Sequence, residues 1–150
     1  MSTYRTELYR SRDPRFVQSR ISEEGIGILG TTTDGPVIAV VGSRDFYDYP
    51  LLKETLDTLL TRSATLISGG ASGADALAEK YAREHGRTIE VIAPDWKTHG
   101  PSAGFRRNRE IVEKATRVIA FWDGSSRGTA HVIDLARAEG KSVHIVRFSK

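Results

Sequence analysis

Five short apolar runs punctuate the chain, and the stretches between them carry apolar residues at helical spacing. Val37–Val41 is continuously apolar and mostly β-branched, the pattern of a strand buried on both faces. From Tyr49 to Arg62, residues Leu52, Leu56, Leu59 and Leu60 share one face of a predicted helix. Thr65–Ile67 reads as a short strand. Ala74–Glu84 follows as a helix with Leu77, Ala78, Tyr81 and Ala82 turned inward, closed by His85-Gly86. Thr88–Ala93 is a strand stopped by Pro94. Ala103–Ala115 is a helix with the stripe Ile111, Val112, Ala115, then Val118–Trp122 is a strand. Thr129–Glu139 is a helix ended by Gly140, and Ser142–Val146 is the last strand.

Strands alternating with helices across short connections require a parallel sheet, because each parallel return needs a helix-length crossover. The expected fold is therefore α/β: a Rossmann-like parallel sheet of about five core strands with helices on both faces, occupying residues 37–150. Residues 1–36 differ. Five arginines and interleaved Tyr4, Tyr9 and Phe16 precede a glycine-rich stretch with no sustained period. This segment is expected to be an extension, a hairpin or arm lying on the core or on a partner subunit.

In such a sheet, ligands bind beyond the carboxyl ends of the strands at the topological switch point. Gly42, Ser43 and Arg44 follow the first strand; Ser68, Gly69, Gly70, Ser72, Gly73 and Asp75 follow the second. Trp96 follows the third and leads to Arg107 and Asn108. Trp122, Gly128 and Thr129 follow the fourth. Glycine, small hydroxyls and arginine thus gather at one sheet edge. Two glycine-rich loops run into helix N-termini near Ala74 and Thr129, where free N–H groups and the helix dipole suit phosphate. Arg44 and Arg107 would add charge-assisted contacts, and Trp96 or Trp122 would offer a face to a base. Arg107 and Asn108 stand one turn before Ile111 and Val112, so they point toward the core side. A guanidinium there is costly unless it meets an anion.

Other motifs are excluded by detail. The loop after the second strand lacks both G-x-G-x-x-G spacing and the lysine of a P-loop. Gly124–Gly128 matches G-x-S-x-G, but Asp134 and His144 fall at positions that do not serve a hydrolase triad. The chain has no cysteine, which removes disulfides, thiol nucleophiles and thiolate zinc sites. Its four histidines show no ligand spacing. No metal site is expected and no cofactor is required, although Mg²⁺ with a phosphate ligand is compatible with Asp45, Asp75, Asp95 and Asp123. With no apolar run of membrane length and a polar N-terminus, the expected compartment is the cytoplasm, with no membrane partner.

Taken together, Val41-Gly42-Ser43-Arg44, Ser68–Asp75, Arg107-Asn108-x-x-Ile111 and Gly128-Thr129-Ala130 resemble the SLOG superfamily of Rossmann-like nucleotide-binding domains. That superfamily includes DprA/Smf and the LOG phosphoribohydrolases. Pro94-Asp95-Trp96 and Ala120–Gly124 bring the chain nearest to the small YspA-like SLOG proteins. The resemblance implies binding of a nucleotide or NAD-derived phosphoribosyl ligand, as a sensor or binding domain of a bacterial or phage conflict system, and a homodimer or higher homo-oligomer. Two alternatives come with it. A LOG-type N-glycosidic hydrolase would use Arg107, but the family's glutamate falls on Val132, so an acid such as Asp75, Asp95 or Asp123 would have to replace it, with Asp75 the first candidate. A DprA-like single-stranded DNA binder matches Arg107-Asn108. Outside residues 1–36, however, 17 basic residues face 14 acidic ones, a net +3 that is small for tracking a phosphate backbone.

Overall fold

The computed structural model describes residues 35–149 and, as backbone alone, the strand 5–9. Six strands form one sheet: β1 (Arg5–Tyr9), β2 (Val37–Gly42), β3 (Thr65–Ser68), β4 (Ile89–Val91), β5 (Arg117–Trp122) and β6 (Ser142–Arg147), in the order β1-β6-β5-β2-β3-β4. The five strands from β2 onward are parallel, with Ala39 opposite both Ile67 and Val118. The α/β, Rossmann-like architecture expected from the alternation is the one observed. Within the N-terminal extension, Arg5–Tyr9 adds to the sheet as an antiparallel edge strand with Thr6 opposite Val146. The rest of that extension, and the expectation of a hairpin, lie outside the described residues.

The helices are α1 (Tyr49–Leu59), α2 (Ala74–His85), the single turn α3 (Trp96–His99), α4 (Ala103–Lys114) and α5 (Arg127–Ala138). Alternation along each strand divides the core in two. Ile38, Val40, Ile119 and Phe121 meet Leu52 and Leu56 of α1 and Ala74, Ala78 and Tyr81 of α2. Ala39, Val41, Val118 and Ala120 meet Ile111 and Val112 of α4 and Val132, Ile133 and Ala136 of α5. Each fully buried Leu or Ile contributes about 1.5–3 kcal/mol relative to exposure, so both sheet faces must be covered.

Several boundaries differ from the expected ones. Helix α1 stops at Leu59, where Leu60 turns to extended backbone. The carbonyls of Thr61 and Ala64 are instead taken by the Arg87 guanidinium at 2.9 and 3.0 Å, a partner from β4's approach that periodicity does not reveal. Strand β4 is only three residues long, although Ile92 N–H still reaches Ser68 O at 2.8 Å. Trp96, read as part of a loop, begins the short turn α3, which Asp95 caps by accepting Thr98 N–H at 3.1 Å. Helix α5 begins at Arg127, two residues before Thr129. One oxygen of Asp123 accepts the N–H groups of both Ser125 and Ser126 at 2.8 Å, completing the turn early.

The chain runs from β2 outward to β3 and β4, then returns to place β5 on β2's other side. The carboxyl ends of β2 and β5 therefore bound the topological switch point.

Candidate functional site

A cavity of about 200 Å³ opens at that point, lined by Val41, Gly42, Arg44, Gly69, Ala71, Asp75, Arg107, Asn108, Ile111, Ser126, Gly128, Thr129 and Val132. It is smaller than the roughly 300–1,000 Å³ that encloses a drug-sized ligand, so it suits one end of a ligand whose remainder lies toward solvent.

Hydrogen bonds beside the cavity tie its loops together. Ser43 N–H donates to Phe121 O at 2.9 Å, Ser43 O accepts from Phe46 and Ala74, and its hydroxyl accepts Asp123 N–H at 3.2 Å. Ser43, named from sequence as a ligand contact, is buried and occupied in joining β2, β5 and α2. Ser72 Oγ donates to Arg44 O at 3.4 Å, tying the glycine loop to the Arg44 loop.

Asp75 organises the second loop. Its Oδ2 accepts Gly69 N–H at 3.0 Å and Ala71 N–H at 3.2 Å, while the side chain is almost wholly buried. Burial pushes its carboxyl up to about 6, against the two N–H bonds and the Arg107 charge, which pull it down. A Cβ at Gly69 would meet Arg107 Nη1 at 2.6 Å and Asp75 Oδ2 at 3.0 Å, so a side chain there would displace the guanidinium. Asp75 therefore holds the loop backbone.

Arg107 reaches across from α4. Its Nη1 donates to Gly69 O and its Nε donates to Asn108 Oδ1 at 2.9 Å. Burial lowers its proton affinity, Asp75 opposes that, and nearby Arg44 adds to it. An arginine nonetheless remains charged at neutral pH. Two guanidinium groups and one buried carboxylate thus line the cavity, an excess of positive charge in a partly desolvated cleft. The first turn of α5 adds to it. Ser126, its cap residue, gives that turn no side-chain hydrogen bond, and its hydroxyl pairs instead with Thr129 Oγ1 at 3.1 Å. The serine of the G-x-S-x-G match is thus bonded to a threonine hydroxyl.

The structure brings Gly42, Arg44, Gly69, Asp75, Arg107, Asn108, Gly128 and Thr129 together. Ser43, Ser68, Gly70, Ser72, Gly73, Trp96 and Trp122 are not in the cavity wall. Trp122 Nε1 donates to Ser126 O at 3.1 Å, and Arg147 lies over its ring. Trp96 is 54% exposed on α3. Val41, Ala71, Ile111, Ser126 and Val132 line the cavity without having been singled out as contacts. Ile111 was legible only as a core position, whereas the resemblance placed Val132 where the LOG glutamate stands. Among the described residues, no group of three His, Asp or Glu side chains is placed to hold a metal ion, and no helix is long and apolar enough to cross a membrane.

A larger cavity of about 490 Å³ lies near the amino ends of β3 and β4. Several of its polar groups are engaged within the protein. Tyr81 donates to Asp57 at 2.7 Å, His85 stacks on Tyr81, and Arg87 bonds two carbonyls.

A family model described as "YspA, cpYpsA-related SLOG family" matches residues 36–99. The Gene 61 protein of Mycobacterium phage D29 is 35% identical over 112 residues, covering 69% of this chain and 90% of the relative. The chain belongs to the YspA, cpYpsA-related SLOG family. No solved structure matches it. The matched segment of this SLOG chain runs from β2 to α3, and so contains Gly42, Arg44, Gly69 and Asp75. Arg107, Asn108, Gly128 and Thr129 come from the elements that follow and complete the same cavity.

Proposed function

We propose that the switch-point cavity binds the phosphate and ribose of a nucleotide or NAD-derived phosphoribosyl ligand, and that the protein acts as a sensor or binding domain. The observation that carries this reading is the pairing of Arg44 and Arg107 against the single buried Asp75, beside the α5 N-terminus. Guanidinium groups and free N–H donors recognise phosphate oxygens. The modest cavity volume fits the phosphoribosyl end, with a base or second nucleoside projecting outward. Family membership supports a nucleotide-related ligand.

A thermal-shift panel of AMP, ADP-ribose, cyclic ADP-ribose isomers and NAD tests it, since a ligand of the native state raises Tm. At least one of these stabilises the wild type, and Arg107→Ala removes the shift while leaving the protein folded. No shift with any of them rejects the reading.

One observation favours a second reading, N-glycosidic hydrolysis: Asp75, with a carboxyl near 6, shares the cavity with Arg107. Against it, Asp75 Oδ2 is held by two N–H groups, and apolar Val132 lines the cavity where the LOG glutamate would stand. Chromatography of AMP incubated with the protein separates the two, because hydrolysis releases free adenine and binding does not.

A further inference from the structure

Arginine only donates, and this fixes the orientation of its neighbour. Because Arg107 Nε bonds Asn108 at 2.9 Å, the atom receiving it must be the amide oxygen. The Asn108 amide nitrogen then faces the opposite way, where His131 Nδ1 lies 3.1 Å off. An amide NH₂ also only donates. His131 Nδ1 must therefore carry a lone pair, and the ring is neutral with its proton on Nε2. Asn108 is 7% exposed, and the Phe105 ring stands edge-on to the imidazole with centroids 4.7 Å apart. The chain of bonds thus runs from α5 through α4 to the carbonyl of Gly69 on the cavity wall.

We propose that His131 is a positioning residue for the cavity arginine: in its neutral Nε2–H form it holds Asn108, which holds Arg107 toward the ligand, and protonation of His131 releases that hold. Protonated Nδ1 becomes a donor facing the donor NH₂ of Asn108. The pair then either separates, or the amide turns over and presents NH₂ to Arg107 Nε. Each outcome loses a hydrogen bond. The charged groups around His131 are Arg109 of α4, which disfavours the imidazolium, and Asp134 of α5, which favours it; burial outweighs both and lowers the proton affinity. Arg107 itself faces Asp75 and Arg44. The functional meaning of this arrangement rests on the anion-binding reading of the cavity; the arrangement itself does not.

The test is ¹H–¹⁵N NMR of the arginine Nε–H and histidine ring nitrogens, with AMP titrations alongside. Asp75→Asn serves as a second background, since Asp75 titrates near 6 and would also move Arg107. At pH 7.5, His131 is expected as the Nε2–H tautomer and the Arg107 Nε–H as slow to exchange. On acidification, in both backgrounds, the Arg107 signal changes with the His131 midpoint. In the Asp75→Asn background, His131→Asn, whose carbonyl replaces Nδ1 as acceptor, keeps the Arg107 signal and abolishes its pH dependence. His131→Leu loses the protection and weakens AMP about fivefold at pH 7.5, as expected for one lost hydrogen bond. An Nδ1–H tautomer, an Arg107 signal indifferent to His131 titration, or an unchanged signal in His131→Leu overturns the proposal. If wild-type protein fails to bind AMP, the anion reading suffers while the NMR result still decides the role of His131.

Discussion

Asp75 and Gly69 are bonded side chain to backbone at 3.0 Å, and the same glycine's carbonyl receives Arg107. One loop residue thus connects the buried acid of the site to its half-buried guanidinium. The acid's position has a consequence for stability. Its folded value of about 6 lies above the ordinary 3.8, so the folded state binds this proton more tightly than the unfolded chain. The associated stability is fully present below about pH 4 and is lost as pH rises through about 6. Urea melts of wild type and Asp75→Asn should therefore diverge between pH 4 and 7. The variant gains relative stability toward neutrality, by on the order of 3 kcal/mol at most. A constant difference across that range contradicts the burial argument.

Gly73 beside the cavity and Gly128 in its wall should respond differently to added side chains. Gly73 has φ +74°, and a Cβ there would sit 2.3 Å from Ser43 O and 2.4 Å from Arg44 O. Gly73→Ala is expected to destabilise by at least about 2 kcal/mol, read as a lowered Tm. Gly128 has no atom within 4 Å of such a Cβ, yet it lines the cavity. Gly128→Val should change stability by less than about 1 kcal/mol while abolishing the ligand-induced shift. A Gly128→Val protein that binds as wild type would place the ligand elsewhere.

Phe46 is 1% exposed, stacked on Phe121 at 4.8 Å and edge-on to Phe148 at 4.9 Å. Its N–H donates to Ser43 O at 3.1 Å, so it pins the loop that carries Arg44. Phe46→Ala should cost about 3–5 kcal/mol. Phe46→Leu, costing less than about 1.5 kcal/mol, should keep the fold and weaken AMP binding by loosening Arg44. Calorimetric titration of Phe46→Leu checks this, and unaltered affinity would separate Phe46 from the site.

Much of the scaffold was legible because apolar period reports burial. Val37–Val41 read as a strand buried on both faces, Val118–Trp122 as a strand, and Leu52 and Leu56 as an inward helical stripe, and so they are. Phe46 was not legible. It lies in a loop between β2 and α1, where no repeat sets an inward phase. The start of α5 was misplaced by two residues because the turn is closed by Asp123, whose bonds to Ser125 and Ser126 leave no periodic trace.

The sequence by itself determined the strand–helix alternation, hence a parallel sheet, and through it the edge where the glycines, Arg44, Asp75 and Arg107 gather. It determined too that Arg107 and Asn108 face inward, since helical phase relative to Ile111 dictates that. Only the tertiary structure decided what they meet: Gly69 across 38 residues and His131 across 23. It also left Trp96 and Trp122 out of the cavity wall and put Val41, Ile111 and Val132 in it. Periodicity records which side of an element leaves water. The groups waiting on that side are set by how the elements pack, and hydrogen bonds between distant residues form only once that packing is complete.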